Sequence, residues 1–143
     1  MEPSETILIV DDYLDALDVW ETYLRASGYE VLTAGDGPSG LACATRALPD
    51  LVVLDIELPG LNGFQVSQIL RAQATTCDIP LIAATGCSFG DSFDRSRLEP
   101  FETVLSKPCD PDVLVCEIRR LLARRRPPCV PRHREGGSWR GPV

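Results

Sequence analysis

The sequence has no long hydrophobic segment and few features typical of secreted proteins. It contains no run of about 18 apolar residues, so we expect no membrane span. The N-terminal residues include neither the basic stretch nor the apolar stretch of a secretory signal, so we expect a cytoplasmic protein. The six cysteines form no C-x-x-C pair, which favours reduced thiols over a disulfide framework or a zinc site.

Basic residues are few over most of the chain and are concentrated at its end. Residues 1–123 carry 8 basic and 20 acidic side chains, a net charge of −12. Residues 124–143 carry six arginines and one glutamate, a net charge of +5. An acidic body is not typical of nucleic-acid-binding proteins, so we expect no direct contact with nucleic acid. The tail is rich in Pro, Gly and Arg without periodicity, which predicts disorder; contact with an anionic partner is the alternative.

Residues 5–123 have the length and the alternating pattern of one α/β domain. Short continuous apolar runs predict strands that are buried on both faces. The predicted strands are residues 7–10, 30–34, 51–54, 80–84 and 103–106. The predicted helices are residues 14–24, 38–48, 64–72, 91–98 and 111–122. This alternation predicts a doubly wound parallel sheet with right-handed crossovers and helices on both faces.

Polar residues follow four of the predicted strands. Asp11 and Asp12 follow the first strand, Asp55 the third, Thr85 the fourth and Lys107 the fifth. Ligands of such folds bind outside the carboxyl ends of the strands, so we expect these side chains to meet at one edge of the sheet.

These residue types fit phosphoryl chemistry. Crowded carboxylates repel one another, and Mg²⁺, which prefers oxygen ligands, removes that repulsion. A carboxylate can attack phosphorus, while an ammonium group and a cation stabilise the charge on the transferring phosphoryl oxygens. The Thr85 hydroxyl can donate a hydrogen bond to such an oxygen.

Each residue taken alone has a simpler explanation. Asp11 and Asp12 could cap the first helix, Asp55 could end a strand at a turn, and Thr85 could belong to an ordinary loop. Lys107 could be a surface lysine, but it is the only lysine beside 13 arginines. Because Arg does not replace Lys at a tight site, this single lysine favours a functional position.

Four segments together resemble the receiver domains of the response-regulator family, which act in two-component signalling and include chemotaxis regulators. They are residues 7–12 (ILIVDD), 54–63 (LDIELPGLNG), 84–86 (ATG) and 105–108 (LSKP). The resemblance covers about residues 5–123. It implies a flavodoxin-like (βα)5 fold with the strand order 2-1-3-4-5.

The resemblance also implies roles for the site residues. Asp55 would accept a phosphoryl group from a histidine kinase or a histidine phosphotransfer protein. Asp12, Asp55 and the backbone carbonyl of Glu57 would bind Mg²⁺ or Mn²⁺ directly, and Asp11 would bind it through water. Thr85 and Lys107 would contact the phosphoryl group, and the bond from Lys107 to Pro108 would be cis.

By the same resemblance the chain would not be an enzyme beyond its own phosphotransfer and slow autodephosphorylation. It would carry no output domain and would switch its binding to a downstream protein; homodimer formation stays open. One alternative is a pseudo-receiver that binds partners without phosphorylation. Another is a phosphatase of the haloacid-dehalogenase type, although Asp55-Ile56-Glu57 matches its D-x-D motif poorly.

Three positions depart from the pattern of the family. Val104 stands where an aromatic residue or histidine is usual, three residues before Lys107. Glu57 adds a carboxylate two residues after Asp55, and Pro100 replaces a usual glycine. Without the aromatic residue, the segment 86–98 is predicted to be the element that responds to phosphorylation.

Overall fold

The computed structural model describes residues 5–86 and 93–124. Within these residues it contains five β-strands, four α-helices and one 3-10 helix. The strands are β1 (Thr6–Val10), β2 (Glu30–Ala34), β3 (Leu51–Asp55), β4 (Leu81–Thr85) and β5 (Thr103–Ser106). The α-helices are α1 (Leu14–Ala26), α2 (Gly37–Ala47), α3 (Gly63–Ala72) and α4 (Pro111–Arg124), and the 3-10 helix is Arg95–Leu98.

The five strands form one parallel sheet in the order β2-β1-β3-β4-β5. This order confirms the predicted flavodoxin-like, doubly wound fold. Every residue of β3 and β4 is buried, as expected for strands covered on both faces.

Alternation along the strands divides the core into two layers. Ile7 and Ile9 of β1 face α1 and α4, where they pack with Trp20 and Ile118. Their neighbours along β1 point to the opposite face, towards α2 and α3. Because side chains alternate across a strand, one short apolar run supplies both layers.

Polar side chains determine where three of the helices begin. The Asp36 carboxylate accepts a hydrogen bond from the backbone N–H of Ser39 at the start of α2 (2.7 Å). At α3, Asn62 and Gln65 form a reciprocal capping box. At α4, the Asp110 carboxylate accepts a hydrogen bond from the backbone N–H of Asp112 (3.0 Å) at the start of the helix.

The predicted helix over residues 91–98 is wrong in the part that the structure describes. Residues 87–92 lie outside the described residues, and the 3-10 helix Arg95–Leu98 occupies the rest. The Asp94 carboxylate accepts hydrogen bonds from both the backbone N–H and the hydroxyl of Ser96. This local bonding competes with an α-helix, and the 3-10 helix contains no buried residue that would favour a longer one.

Several smaller predictions can be compared with the structure. The Lys107–Pro108 bond is cis, as predicted. The four cysteines in the described part of the chain are free thiols, namely Cys43, Cys77, Cys109 and Cys116. Helix α4 includes Arg124, one residue beyond the predicted domain boundary, and the rest of the predicted tail lies outside the described residues.

None of the described helices is both long and apolar enough to span a bilayer.

Candidate functional site

Three carboxylates meet at the carboxyl edge of the sheet. Asp11 and Asp12 follow β1, and Asp55 is the last residue of the adjacent strand β3. One carboxylate oxygen from each lies within 4.8 Å of the others. Asp11 and Asp55 are buried, with 1% and 4% of their surfaces exposed, whereas Asp12 is exposed. The cluster is therefore closed on the protein side and open to solvent at Asp12.

Lys107 neutralises part of this negative charge. Its Nζ lies 2.7 Å from Oδ2 of Asp11 and 3.1 Å from Oδ2 of Asp55. The backbone N–H of Lys107 donates to the carbonyl oxygen of Thr85 (2.8 Å), which aligns the residues after β5 with the end of β4. The same lysine thus joins the end of β5 to the two buried carboxylates.

Thr85 and Glu57 also lie at this edge. Thr85 is buried at the end of β4, one residue beyond Ala84, which pairs with Asp55 in the sheet. The backbone N–H of Glu57 donates to Oδ1 of Asp55 (3.1 Å), while the Glu57 side chain is exposed. Every residue predicted for the site is therefore at the carboxyl edge. Their individual roles in catalysis and metal binding stay predictions.

Asp11 has a second role that the sequence left open. Its Oδ1 accepts a hydrogen bond from the backbone N–H of Tyr13 (3.0 Å), the residue before α1. The first turn of α1 receives no side-chain cap from its N-cap residue, Tyr13. The two oxygens of Asp11 therefore bind different partners, since Oδ2 faces Lys107.

Burial dominates the electrostatics of Asp55. It raises the pKa of the Asp55 carboxyl to about 6, and the nearby charge of Asp11 contributes in the same direction. The hydrogen bond from the Glu57 N–H and the charge of Lys107 lower this pKa but do not outweigh burial. Burial lowers the pKa of Lys107, yet its hydrogen bond to Asp11 and the charges of Asp55 and Asp11 raise that pKa overall.

The donor set of the cluster fits a hard divalent cation. Mg²⁺ prefers carboxylate and carbonyl oxygens and retains several waters, which the open side at Asp12 can admit. One ammonium group faces two of the three carboxylates, so negative charge remains at the edge. A cation bound beside Asp12 and Asp55 would balance it.

Glycines fix the loop that follows Asp55, a role that the sequence pattern did not predict. The N–H of Gly63 donates to the carbonyl oxygen of Ile56 (2.8 Å), and a Cβ on Gly63 would lie 2.6 Å from the Asp55 carbonyl oxygen. The N–H of Gly37 donates to the Pro59 carbonyl oxygen (3.3 Å), and a Cβ there would overlap the Leu61 backbone. Both glycines allow backbones to approach closely, a tertiary requirement that an isolated glycine in a sequence does not reveal.

The position usually taken by an aromatic residue is half open. Val104 lies on β5, pairs with Ala83 and has 38% of its surface exposed. Its short apolar side chain has no polar group that could form a hydrogen bond with Thr85. The protein thus has the acidic cluster and the lysine of the family pattern but no aromatic side chain at residue 104.

Comparisons with known proteins agree with this architecture. Residues 7–119 match the family model described as "Response regulator receiver domain". The chain is 39% identical over 118 residues to the response regulator PleD of Caulobacter vibrioides, covering 82% of this chain and 26% of PleD. It is 37% identical over 134 residues to the DNA-binding dual master transcriptional regulator RpaA of Synechocystis, covering 90% of this chain and 54% of RpaA.

A solved structure extends the comparison to the fold. The receiver domain of a sensor histidine kinase from Pseudomonas aeruginosa PAO1 superposes with a TM-score of 0.76 at 29% identity. The match covers 85% of this chain and 99% of that one, which holds a magnesium ion in its active-site cleft. The chain spans about a quarter of PleD and about half of RpaA, so the likeness concerns the receiver part of those proteins. The sheet order, the edge cluster and the match over residues 7–119 show that the chain belongs to the response regulator receiver domain family of two-component signalling.

Proposed function

We propose that Asp55 accepts a phosphoryl group in a Mg²⁺-dependent reaction and that phosphorylation changes which protein the domain binds. The observation that carries this proposal is the convergence of three carboxylate oxygens within 4.8 Å, with Lys107 bonded to two of the carboxylates. In this arrangement Asp55 is paired with a positive side chain and lies beside two further carboxylates that could hold a cation. That environment suits an aspartyl nucleophile.

Each residue of the site has its own role in the proposed phosphoryl transfer. An oxygen of the ionised Asp55 attacks phosphorus, forming a P–O bond while the P–N bond of a donor phosphohistidine breaks and the imidazole leaves. Lys107 stabilises the charge on the phosphoryl oxygens, and the Thr85 hydroxyl donates to one of them. Mg²⁺, held by Asp12, Asp55 and the Glu57 carbonyl, with Asp11 acting through water, would supply charge neutralisation for the incoming phosphoryl group.

A histidine kinase or a histidine phosphotransfer protein is the proposed donor, and a protein is the proposed downstream target. The acidic body makes a protein partner more suitable than nucleic acid, because phosphates would be repelled. The chain would catalyse its own phosphorylation and slow dephosphorylation but would not turn over other substrates.

Phosphate-tag electrophoresis tests the proposal directly. The protein is incubated with phosphoramidate, a small phosphodonor, in the presence of Mg²⁺ or of EDTA. We expect a retarded band that needs Mg²⁺ and that is absent from Asp55→Asn. An exposed-site control, Asp18→Asn on α1, should be phosphorylated like the unmodified chain.

This electrophoresis and a phosphatase assay together separate the alternatives. A pseudo-receiver would give no retarded band under any of these conditions. A haloacid-dehalogenase-type phosphatase would release phosphate continuously from a generic phosphomonoester such as p-nitrophenyl phosphate, and Asp55→Asn would stop the release. A retarded band of full intensity in the Asn variant would reject Asp55 as the acceptor.

A further inference from the structure

Residues 93–101, which precede β5, contact α3 through a pair of aromatic rings and an arginine. The ring of Phe64, in the first turn of α3, lies 5.8 Å from the ring of Phe93 between centroids. The guanidinium carbon of Arg97 lies 4.0 Å from the centroid of the Phe64 ring. Phe64 is buried at 6% exposure, while Arg97 is exposed on the 3-10 helix. Phe64 of α3 therefore contacts two residues of this segment, Phe93 and Arg97.

Phe64 is linked to the acidic cluster by a short backbone path. Asp55 is followed by Ile56, whose carbonyl oxygen accepts the N–H of Gly63 (2.8 Å). Gly63 packs so closely on the Asp55 carbonyl that a Cβ would lie 2.6 Å from its oxygen. Phe64 is the next residue. This hydrogen bond and the close packing of Gly63 connect the backbone after Asp55 directly to the first turn of α3.

The opposite end of the same helix holds the segment much more firmly. Arg71, near the end of α3, donates through Nη2 (2.6 Å) and Nε (3.1 Å) to the carbonyl oxygen of Pro100. It also donates to the carbonyl oxygens of Cys77 and Ile79 and pairs with Glu102. These several bonds make the Arg71 end a fixed point. The Phe64 end is held instead by side-chain contacts, which come from Phe93, Arg97 and Leu98.

We propose that the contact between Phe64 and Arg97 transmits the state of Asp55 to residues 93–101. Phosphorylation would displace the backbone after Asp55, α3 would carry Phe64 with it, and the segment would turn about the Arg71 end. This inference rests on the proposed function, because it requires Asp55 to be the modified residue. It supplies a route through α3 that does not require an aromatic residue at position 104.

Hydrogen exchange with and without beryllofluoride and Mg²⁺ tests the route. The amides to follow are those of Arg97, Glu99 and Phe101, which donate to the carbonyl oxygens of residues 94, 96 and 98. We compare the unmodified chain with Arg97→Gln, which removes the cation over the ring. Arg95→Gln is the matched control, since Arg95 is an exposed residue of the same 3-10 helix. Phe64→Leu removes the ring and keeps an apolar side chain.

In the unmodified chain and in Arg95→Gln, beryllofluoride should change the exchange rates of these amides. In Arg97→Gln the change should shrink by about two- to fivefold, the scale of one exposed cation–π contact. Phe64→Leu should show the same reduction. Each variant should keep the Mg²⁺-dependent rise in Tm, which shows that the acidic cluster is intact. That readout separates a loss of transmission from a damaged site.

Two results would contradict the inference and leave the proposed function unaffected. One is an equal response in Arg97→Gln and Arg95→Gln. The other is a lack of response at residues 93–101 in a chain that phosphoramidate phosphorylates on Asp55. Failure of the proposed function would look different, because no retarded band would form in phosphate-tag electrophoresis.

Discussion

Replacing Asp55 by asparagine should stabilise the metal-free domain at neutral pH. The amide has nearly the size of the carboxyl but carries no charge, and Asp55 is buried beside Asp11. Burial raises the pKa of Asp55 from 3.8 to about 6. At about 1.4 kcal/mol per pKa unit, ionising this buried carboxyl costs about 3 kcal/mol at pH 7.5, and the variant avoids that cost. We expect a gain of about 1–3 kcal/mol, or a rise in Tm of roughly 4–12 °C for a domain of this size.

The pH dependence of this gain distinguishes the mechanism from a general effect of charge removal. Because folding raises the pKa of Asp55, the group favours the folded state below pH 4, and this contribution is lost as the pH rises through about 6. The advantage of Asp55→Asn should therefore be full at pH 7.5 and fall to about one third at pH 4.5.

The assay is thermal unfolding followed by circular dichroism in EDTA at both pH values. Asp18→Asn is the control, since it removes one charge from an exposed position of α1. No gain at pH 7.5, or an equal gain at both pH values, would refute the reasoning that burial of an ionised Asp55 destabilises the fold.

Two further predictions concern the cation and the loop that borders its site. Mg²⁺ should raise the Tm, because at a hundredfold excess over its Kd it adds about 2.7 kcal/mol to the free energy of unfolding. Asp12→Ala should remove most of this rise. An unchanged rise in that variant would exclude Asp12 as a ligand. Gly37→Ala should push the Leu61 backbone away, destabilise the fold by about 1–3 kcal/mol and weaken Mg²⁺ binding in a titration. Gly35→Ala, where a Cβ meets open space, is the matched control, and equal Mg²⁺ affinity in both variants would show that the loop does not position the site.

Local sequence pattern was sufficient for the strands and for the cluster at their ends. The run Ile7–Val10 is apolar throughout, and the structure buries all four side chains in two layers. Parallel strands bring their carboxyl ends to one edge, so the pattern alone predicts that Asp11, Asp12 and Asp55 lie together, as they do. The strand order came from the resemblance to a family, since alternation alone fits more than one order.

Features that depend on tertiary contacts could not be predicted from the local sequence pattern. The weak pattern before Leu98 suggested a helix, but the bonds of Asp94 to Ser96 favour a 3-10 turn there. Arg71 donates to the carbonyl oxygens of Cys77, Ile79 and Pro100 and to the Glu102 carboxylate, and no short-range sequence pattern predicts this set of acceptors. The raised pKa of Asp55 likewise depends on burial, which sequence order does not quantify.

The substitution at residue 104 limits how a change at Thr85 can reach the rest of the domain. Val104 pairs with Ala83 and Ser106 pairs with Thr85, so the valine lies two residues along β5 from the partner of the threonine. A branched three-carbon side chain cannot span that separation, and 38% of the Val104 surface is exposed. A two-state response needs an element whose two positions differ in contacts. Among the described residues, the first turn of α3 is the element that we propose for this role, because Phe64 contacts Phe93 and Arg97 while Gly63 packs on Asp55.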